Sequence, residues 1–254
     1  SSSRWQHEHV SGKSLFDWKY LINLASSEFP LRTNTELVHI LSLFDGRNDI
    51  EIMGKFHLER VKYKWIVNEK TMSMVRTSEL KEAPPFNYTI VKGIAYCLFS
   101  RAFVEYALTD ERAKSLLAWS QDTYSPDEWY WSTLQFNAQF GPPGTYANIA
   151  QQQRFVPTLS RYIGWRSLYA CRGQLRHNIC LFSIHDLSHI VKRNELFVNK
   201  LDLERDPLAF HCMREWYLRR QQRENEINGT TGSFDIRPYT RFVNRLRQRL
   251  WSFL

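Results

Sequence analysis

The sequence predicts an α/β fold, in which short strands alternate with helices around a packed core. The chain of 254 residues is 43% hydrophobic and 15% aromatic, which suits a core of considerable size. Residues 88–100 are rich in β-branched and aromatic side chains, as strands are. Residues 207–220 instead place their apolar side chains at helical spacing. Strands that alternate with helices are typical of an α/β sheet domain.

The first part of the chain contains elements of both types. Residues 18–24 form a short apolar run that predicts a buried strand. Thr35 offers the N-cap of a helix that we expect to extend through Leu43. Residues 61–67 alternate with the period of a strand, and the prolines in residues 82–85 predict a surface loop.

The middle of the chain continues with a strand and three helices. The strand-like run contains Gly93, which we interpret as a bulge or as a point of close backbone approach. Ser100 is the expected cap of a helix through Leu108, and a second helix follows through Trp119. Residues 128–136 predict a third helix, directly after a proline.

The last part of the chain repeats the alternation. Residues 145–160 are polar and rich in glutamine, which predicts an exposed loop. Two short strands are expected at residues 162–165 and 179–182, and two helices at residues 187–192 and 207–220.

Charge and targeting signals limit the class of protein. The net charge of +8 and the pI of about 9.3 favour partners that carry phosphate, such as nucleic acid, an anionic membrane or a nucleotide-sugar. The basic residues are scattered, which argues against nucleic acid. No apolar run reaches the ~18 residues of a membrane span, and no signal peptide follows Ser1. We therefore expect either a soluble chain or a fragment whose targeting segment lies upstream.

The cysteines leave two interpretations open. Cys171 and Cys180 bracket a short loop, which suits a local disulfide, but all four cysteines could instead be reduced and buried. The chain has no Cys-x-x-Cys pair, so a zinc ribbon is not expected.

Two adjacent carboxylates are the most informative feature of the sequence. Asp127 and Glu128 follow Pro126 within a stretch of aromatic residues from Trp119 to Trp131. Such a setting can leave a carboxylate half-desolvated, beside ring faces on which sugars pack. The combination suggests carbohydrate chemistry with one of the two as the base. Alternatively, both carboxylates only cap the helix that follows.

Five blocks of the chain, in order, resemble one enzyme family. The blocks are residues 18–24 with 29–34, residues 93–96 (Gly-Ile-Ala-Tyr), residues 122–128 (Asp-Thr-Tyr-Ser-Pro-Asp-Glu) with 131–134, residues 196–202 (Leu-Phe-Val-Asn-Lys-Leu-Asp), and residues 206–209 with Cys212. They resemble the core-2/I-branching β-1,6-N-acetylglucosaminyltransferases, glycosyltransferase family 14, which also includes the peptide O-xylosyltransferases.

The resemblance implies a fold and a domain organisation. It implies a GT-A-like mixed sheet flanked by helices, lacking part of the N-terminal nucleotide-binding half. Residues 1–225 would then be the C-terminal, acceptor-binding and catalytic portion of a glycosyltransferase domain, and residues 226–254 a basic amphipathic tail. The tail carries arginines and apolar residues at helical spacing from Arg237 onwards. It could bind an anionic membrane or a partner, or it could pack one face on the domain.

The resemblance also implies an inverting transfer of N-acetylglucosamine from UDP-GlcNAc to the 6-hydroxyl of an O-glycan acceptor. Glu128 matches the general base, at the first turn of a helix that would stabilise its ionised form, and Asp127 would cap that helix. No metal and no other cofactor is expected, because basic side chains would stabilise the leaving diphosphate. Lys200 matches one of them, while His177, beside Arg176, stands where the family has an arginine.

For acceptor binding, the resemblance implies Glu51 and Arg60, with His57 in place of a lysine. Trp165 matches a tryptophan that stacks on the sugar. Ser167 replaces an expected tyrosine, which suggests an acceptor or donor different from the core-2 mucin disaccharide. Each of these side chains could instead have only a structural role.

The remaining implications concern disulfides, partners and compartment. Cys171 and Cys180 match a family disulfide, Cys212 should be unpaired, and Cys97 is expected in the core. The expected partners are a UDP-sugar and an O-glycan or glycoprotein acceptor, not nucleic acid. The full-length protein is expected on the lumenal side of the Golgi membrane, anchored by an N-terminal segment. The alternatives are an enzyme like the peptide O-xylosyltransferases, or a truncated, non-catalytic remnant that binds a glycan or partner.

Overall fold

Short strands and helices alternate along the chain, as the sequence predicts. The computed structural model describes residues 17–55, 57–146, 155–226 and 234–248. The strands are β1 (Tyr20–Ile22), β2 (Glu28–Pro30), β3 (Tyr63–Asn68), β4 (Ser73–Leu80), β5 (Leu98–Ser100), β6 (Arg161–Ile163), β7 (Gln174–Arg176), β8 (Ile179–Leu181) and β9 (Phe197–Asn199). The helices are α1 (Asn34–Phe44), α2 (Glu59–Lys62), α3 (Arg101–Thr109), α4 (Glu111–Ser120), α5 (Tyr130–Phe136), α6 (Leu187–Ile190), α7 (Pro207–Glu226) and α8 (Arg237–Gln248).

The strands pair into small sheets, one of them mixed. In that sheet β9 is central, antiparallel to β2 and parallel to β6. Strand β1 pairs with β5, while β3 with β4 and β7 with β8 form antiparallel hairpins. Helices flank these sheets, so the prediction of a mixed α/β fold is confirmed.

Helices α3, α4 and α5 pack together in an apolar cluster directly after the chain segment that contains Glu128. Phe103 of α3 and Leu116 of α4 pack in one buried cluster with Tyr130 and Leu134 of α5. Full burial of each such side chain contributes about 1.5–3 kcal/mol. The start of α5 is therefore fixed by packing from two other helices.

The first helix begins two residues earlier than expected. Its N-cap is Thr33 and not Thr35, because the Thr33 hydroxyl accepts a hydrogen bond from the Glu36 amide at 3.2 Å. In return, the Glu36 carboxylate accepts a bond from the Thr33 amide at 3.0 Å. This Thr-x-x-Glu arrangement is a capping box, which satisfies two amides that would otherwise lack partners.

Helix α8 packs on the domain, which is one of the two alternatives for the basic tail. Tyr239 and Val243 are buried in a cluster with Ile40 and Phe44 of α1. Residues 249–254 lie outside the described residues. Within the described ranges, no helix combines the length and apolar character that crossing a bilayer requires.

The strand expected over residues 88–100 is wrong for most of its length, since only Leu98–Ser100 pairs as β5. Side chains near α5 satisfy the backbone instead. Asn137 exchanges two hydrogen bonds with the backbone of Thr89, and the Thr133 hydroxyl exchanges two with Val91. The segment is thus extended but follows a helix rather than a sheet.

Several other boundaries differ from the prediction. Strand β1 has three residues, and Leu21 is 39% exposed because a two-stranded sheet covers it on one side only. Helix α7 continues to Glu226, beyond the expected end. Of the expected loop at 145–160, residues 147–154 lie outside the described residues. The rest is not uniformly exposed, since Val156 and Leu159 are buried.

Candidate active site

Glu128 lies at the end of a single 3-10 turn, Pro126–Glu128, immediately before α5. Its amide donates to the Ser125 carbonyl at 3.0 Å. The next residue, Trp129, is 1% exposed and anchors the turn in the core. The Glu128 side chain is nevertheless 31% exposed. A rigid backbone therefore presents this carboxylate to solvent.

The prediction that Asp127 caps an α-helix is wrong. The 3-10 turn has no side-chain cap, and it ends at Trp129, whose φ of −121° is not helical. Helix α5 starts only at Tyr130 and also lacks a side-chain cap. Partial burial, and then the neighbouring charge of Glu128, raise the pKa of Asp127. The expected stabilisation of Glu128 by the first turn of an α-helix is absent for the same reason.

Two cations, Lys92 and Arg60, contact the Glu128 carboxylate directly. The ammonium of Lys92 lies 2.9 Å from Oε2 of Glu128, and Nη1 of Arg60 lies 3.2 Å from the same oxygen. The Arg60 guanidinium also lies 4.9 Å from the ring centre of Tyr124, which packs against Trp65. Both cations are thus in ionic contact with the same oxygen of the Glu128 carboxylate.

Lys92 was missed by the sequence analysis. The available signal was its position directly before Gly93, the glycine interpreted as a close-approach point. That interpretation is confirmed, because a Cβ on Gly93 would lie 1.8 Å from the Ser132 hydroxyl and 2.3 Å from the Glu51 carbonyl. A charged residue beside such a constrained glycine is held in one place, as Lys92 is.

Glu51 belongs to the same group of charges. Burial, followed by the negative charge of Asp49, raises the pKa of Glu51 to about 7, and the positive charge of Lys92 opposes the rise. Burial likewise raises the pKa of Asp49 to about 6, although the Thr158 hydroxyl and the Leu159 amide donate to its carboxylate. Glu51 is thus half protonated near neutral pH.

His57 is not part of this group. Its side chain is 58% exposed and forms an ion pair with Glu59, at 3.3 Å. No contact in the described part of the chain joins it to Glu128. Its backbone lies in the left-handed region, at φ 52°, just before α2.

The three residues expected at the donor lie around hairpin β7–β8, together with Trp165, which is expected at the acceptor. The Lys200 amide donates to the Cys180 carbonyl at 3.4 Å, and Trp165 forms an isolated antiparallel bridge with Ile179. Arg176 and His177 are exposed at the hairpin turn, where His177 has a φ of 51°. Thus Lys200, Trp165 and both basic turn residues adjoin a single strand.

A disulfide joins Cys171 to Cys180, with their Cα atoms 5.5 Å apart, as predicted. It ties β8 to the chain that precedes β7. Cys212 is unpaired and Cys97 is fully buried, both as expected.

A buried polar network lies between the two groups. The ion pair of Glu28 and Arg161, at 2.8 Å, joins β2 to β6, and the Asn199 amide donates to Glu28 at 2.9 Å. Burial raises the pKa of Tyr96, and the negative charges of Glu28 and Asp127 add to the rise. The ion pair and the Asn199 bond thus hold β2, β6 and β9 together directly before Lys200.

Two further observations concern the surroundings. The described residues contain no cluster of three or more His, Cys, Asp or Glu side chains arranged to hold a metal ion. A cavity of about 320 Å³ lies between α8 and residues 157–159 and 192–195. None of the predicted site residues lines it.

Comparison with known proteins assigns the family. Residues 12–191 match the model of the core-2/I-branching enzymes. The chain is 35% identical over 217 residues to the human N-acetyllactosaminide β-1,6-N-acetylglucosaminyl-transferase, which covers 82% of the chain and 52% of that relative. It is 33% identical to the human β-1,3-galactosyl-O-glycosyl-glycoprotein β-1,6-N-acetylglucosaminyltransferase, over 78% of the chain and 49% of that relative.

The similarity extends to a viral relative. A β-1,3-galactosyl-O-glycosyl-glycoprotein β-1,6-N-acetylglucosaminyltransferase of bovine herpesvirus 4 is 33% identical, over 82% of the chain and 49% of that relative. The chain spans about half the length of the curated relatives it matches. Because the family match covers more than half of the chain, the chain belongs to the core-2/I-branching enzyme family.

Proposed function

We propose that the protein is an inverting glycosyltransferase that moves N-acetylglucosamine from UDP-GlcNAc to the 6-hydroxyl of an O-glycan acceptor. Glu128 is the general base of this reaction. The observation that carries the proposal is the Glu128 carboxylate itself, which reaches solvent from a rigid turn and has two cations on one oxygen. The named relatives, which are β-1,6-N-acetylglucosaminyltransferases, support the reaction type.

The reaction requires one proton transfer and one displacement. As the acceptor hydroxyl oxygen attacks the anomeric carbon, its proton passes to the Glu128 carboxylate. The bond between that carbon and the diphosphate oxygen breaks, and UDP leaves from the opposite face, so the configuration is inverted. An ionised carboxylate is needed at the start, and Arg60 and Lys92 hold its Oε2 in place.

The leaving diphosphate gains negative charge, which fixed cations stabilise. In the proposal Lys200 provides one cation, and Arg176 or His177 provides the other. Their common position beside β8 supports this grouping. The proposal includes independence of metal ions, so transfer should persist in EDTA.

The acceptor side is proposed to consist of Glu51, Arg60 and Trp165. A glutamic acid that is half protonated near neutral pH can either donate or accept a hydrogen bond from a sugar hydroxyl. The indole of Trp165 is half-buried, so one face remains for a sugar ring. His57 makes no contact with this group, and we leave it out of the proposed acceptor site.

We further propose that the protein works in the lumen of the Golgi. Support comes from the Cys171–Cys180 disulfide, since such bonds persist in oxidising compartments, and from relatives whose names state glycoprotein acceptors.

The test is a product assay with the full-length protein. UDP-GlcNAc, UDP-Glc and UDP-Xyl are offered with an N-acetyllactosamine acceptor, a galactosyl-O-glycopeptide and an unglycosylated serine peptide. We expect a β-1,6-linked N-acetylglucosamine product, identified by mass spectrometry and NMR. The Glu128→Gln variant should lose at least about 100-fold in kcat while its UDP affinity is unchanged. Transfer of xylose to serine would replace the proposal with a xylosyltransferase, and full turnover by Glu128→Gln would remove the base.

A further inference from the structure

Lys92 occupies a fixed and largely buried position. Its side chain is 11% exposed. Its amide donates to the Gly54 carbonyl at 2.8 Å, and its carbonyl accepts from the Met53 amide at 2.7 Å. These two bonds join the segment that carries Lys92 to the segment that carries Glu51.

The neighbouring glycine closes a ring of contacts with Glu128. The Gly93 amide donates to the Glu128 carbonyl at 2.8 Å. The Lys92 ammonium bonds to the Gly93 carbonyl at 3.1 Å and to the Glu128 carboxylate at 2.9 Å. Backbone and side chain of the same glutamate are therefore held by two consecutive residues.

Both cations bind the same carboxylate oxygen. Lys92 and Arg60 each contact Oε2, whereas no hydrogen bond within the described ranges reaches Oε1 of Glu128. With Oε2 fixed, rotation of the carboxylate would break both contacts. Oε1 is the oxygen left to receive a proton.

We propose that Lys92 is a positioning residue, which holds Oε2 of Glu128 so that Oε1 faces the acceptor hydroxyl. This inference rests on the proposed function, since it assigns Lys92 a part in that reaction. Lys92 differs from Arg60 in this respect, because Arg60 is 29% exposed on α2 and is also placed to contact the acceptor.

The charges around Lys92 come from three segments. Asp49 and Glu51 lie on the segment before α2, Arg60 on α2, and Asp127 with Glu128 on the 3-10 turn. Of these carboxylates, only Glu128 is in direct ionic contact with Lys92. Removal of the ammonium should therefore act mainly on the position of the Glu128 carboxylate.

The test compares Lys92→Met, Lys92→Gln and Lys92→Arg with the wild type, in the full-length protein. We expect the first two variants to lose about 10- to 100-fold in kcat, with an acceptor KM near the wild-type value. Lys92→Arg should restore most of the activity, because a guanidinium can keep the contact with Oε2. Lys64→Met, which removes an ion pair with Glu79 on hairpin β3–β4, is the control and should leave kcat and the acceptor KM unchanged.

A second measurement separates this proposal from the proposed function. The carboxyl ¹³C chemical shift of Glu128, assigned by the loss of the signal in Glu128→Gln, is compared at one pH in wild type, Lys92→Met and Lys92→Gln. A chemical shift that changes in both variants but not in Lys64→Met supports the contact even if no sugar is transferred. A kcat and a Glu128 ¹³C chemical shift equal to those of wild type in both Lys92→Met and Lys92→Gln would overturn the role of Lys92. If only Lys92→Gln folds, its results alone decide.

Discussion

Replacing Glu51 with glutamine tests the cost of the buried acid beside Lys92. The folded-state pKa of Glu51 is raised from its ordinary value of 4.5 to about 7, first by burial and then by Asp49. Below pH 4.5 the group is protonated in both the folded and unfolded states, and it costs nothing. Between pH 4.5 and about pH 7 the folded state binds more protons than the unfolded state, so the free energy of unfolding falls as the pH rises.

The size of this loss follows from the shift. At about 1.4 kcal/mol per pKa unit, a shift from 4.5 to about 7 corresponds to about 3 kcal/mol, lost in full only above pH 7. Glutamine has nearly the same shape but no charge. Relative to wild type, Glu51→Gln should therefore gain up to about 3 kcal/mol at pH 8 and almost nothing at pH 4.

Urea denaturation at pH 4, 6 and 8, followed by tryptophan fluorescence, measures this difference. Asp49 titrates in both proteins, so its own contribution largely cancels. Glu79→Gln, on the exposed hairpin β3–β4, is the matched control and should show no such dependence on pH. A difference between Glu51→Gln and wild type that is equal at pH 4 and pH 8, or that favours wild type at pH 8, would refute the reasoning.

Two further substitutions test the backbone approach and the disulfide. Gly93→Ala should destabilise the protein by about 1–3 kcal/mol, because its Cβ would overlap the Ser132 hydroxyl and the Glu51 carbonyl. It should also reduce kcat, measured in the product assay; Ser132→Gly in the same protein should recover part of both losses, and a fully active, stable Gly93→Ala would contradict the close approach. Cys171→Ser should lower the free energy of unfolding by about 2.5 kcal/mol, as expected for a bridge over a sequence separation of 9. Cys212→Ser, which removes an unpaired thiol, is its control in thermal denaturation, and equal melting temperatures in the two variants would contradict the prediction.

Local patterns predicted the type of most elements but not which partner satisfied each backbone. The sequence around Thr89 and Val91 has the composition of a strand, yet the partners of its backbone are the side chains of Asn137 and Thr133. No periodicity within residues 88–100 carries that information. The helix start at Thr33 could have been predicted from the sequence, because Glu36 three residues later completes a capping box.

The candidate site was predicted unevenly for a similar reason. Glu51, Arg60 and Glu128 were proposed from the family resemblance, and the fold gathers them around one lysine. Lys92 itself belonged to no pattern, because its role comes from contacts with residues distant in sequence. His57 differs from these residues. It matches a family position in the sequence, but its side chain is exposed and pairs with Glu59 instead of contacting Glu128.

The disulfide-closed hairpin has a consequence for how such enzymes diverge. The Cys171–Cys180 bridge secures β8 independently of the side chains at the hairpin turn. Substitutions at the exposed positions 176 and 177 should therefore not change the packing around Glu128. The bridge therefore provides a fixed frame on which different turns can be grafted, so that the proposed donor role of positions 176 and 177 can be tested without disturbing β8.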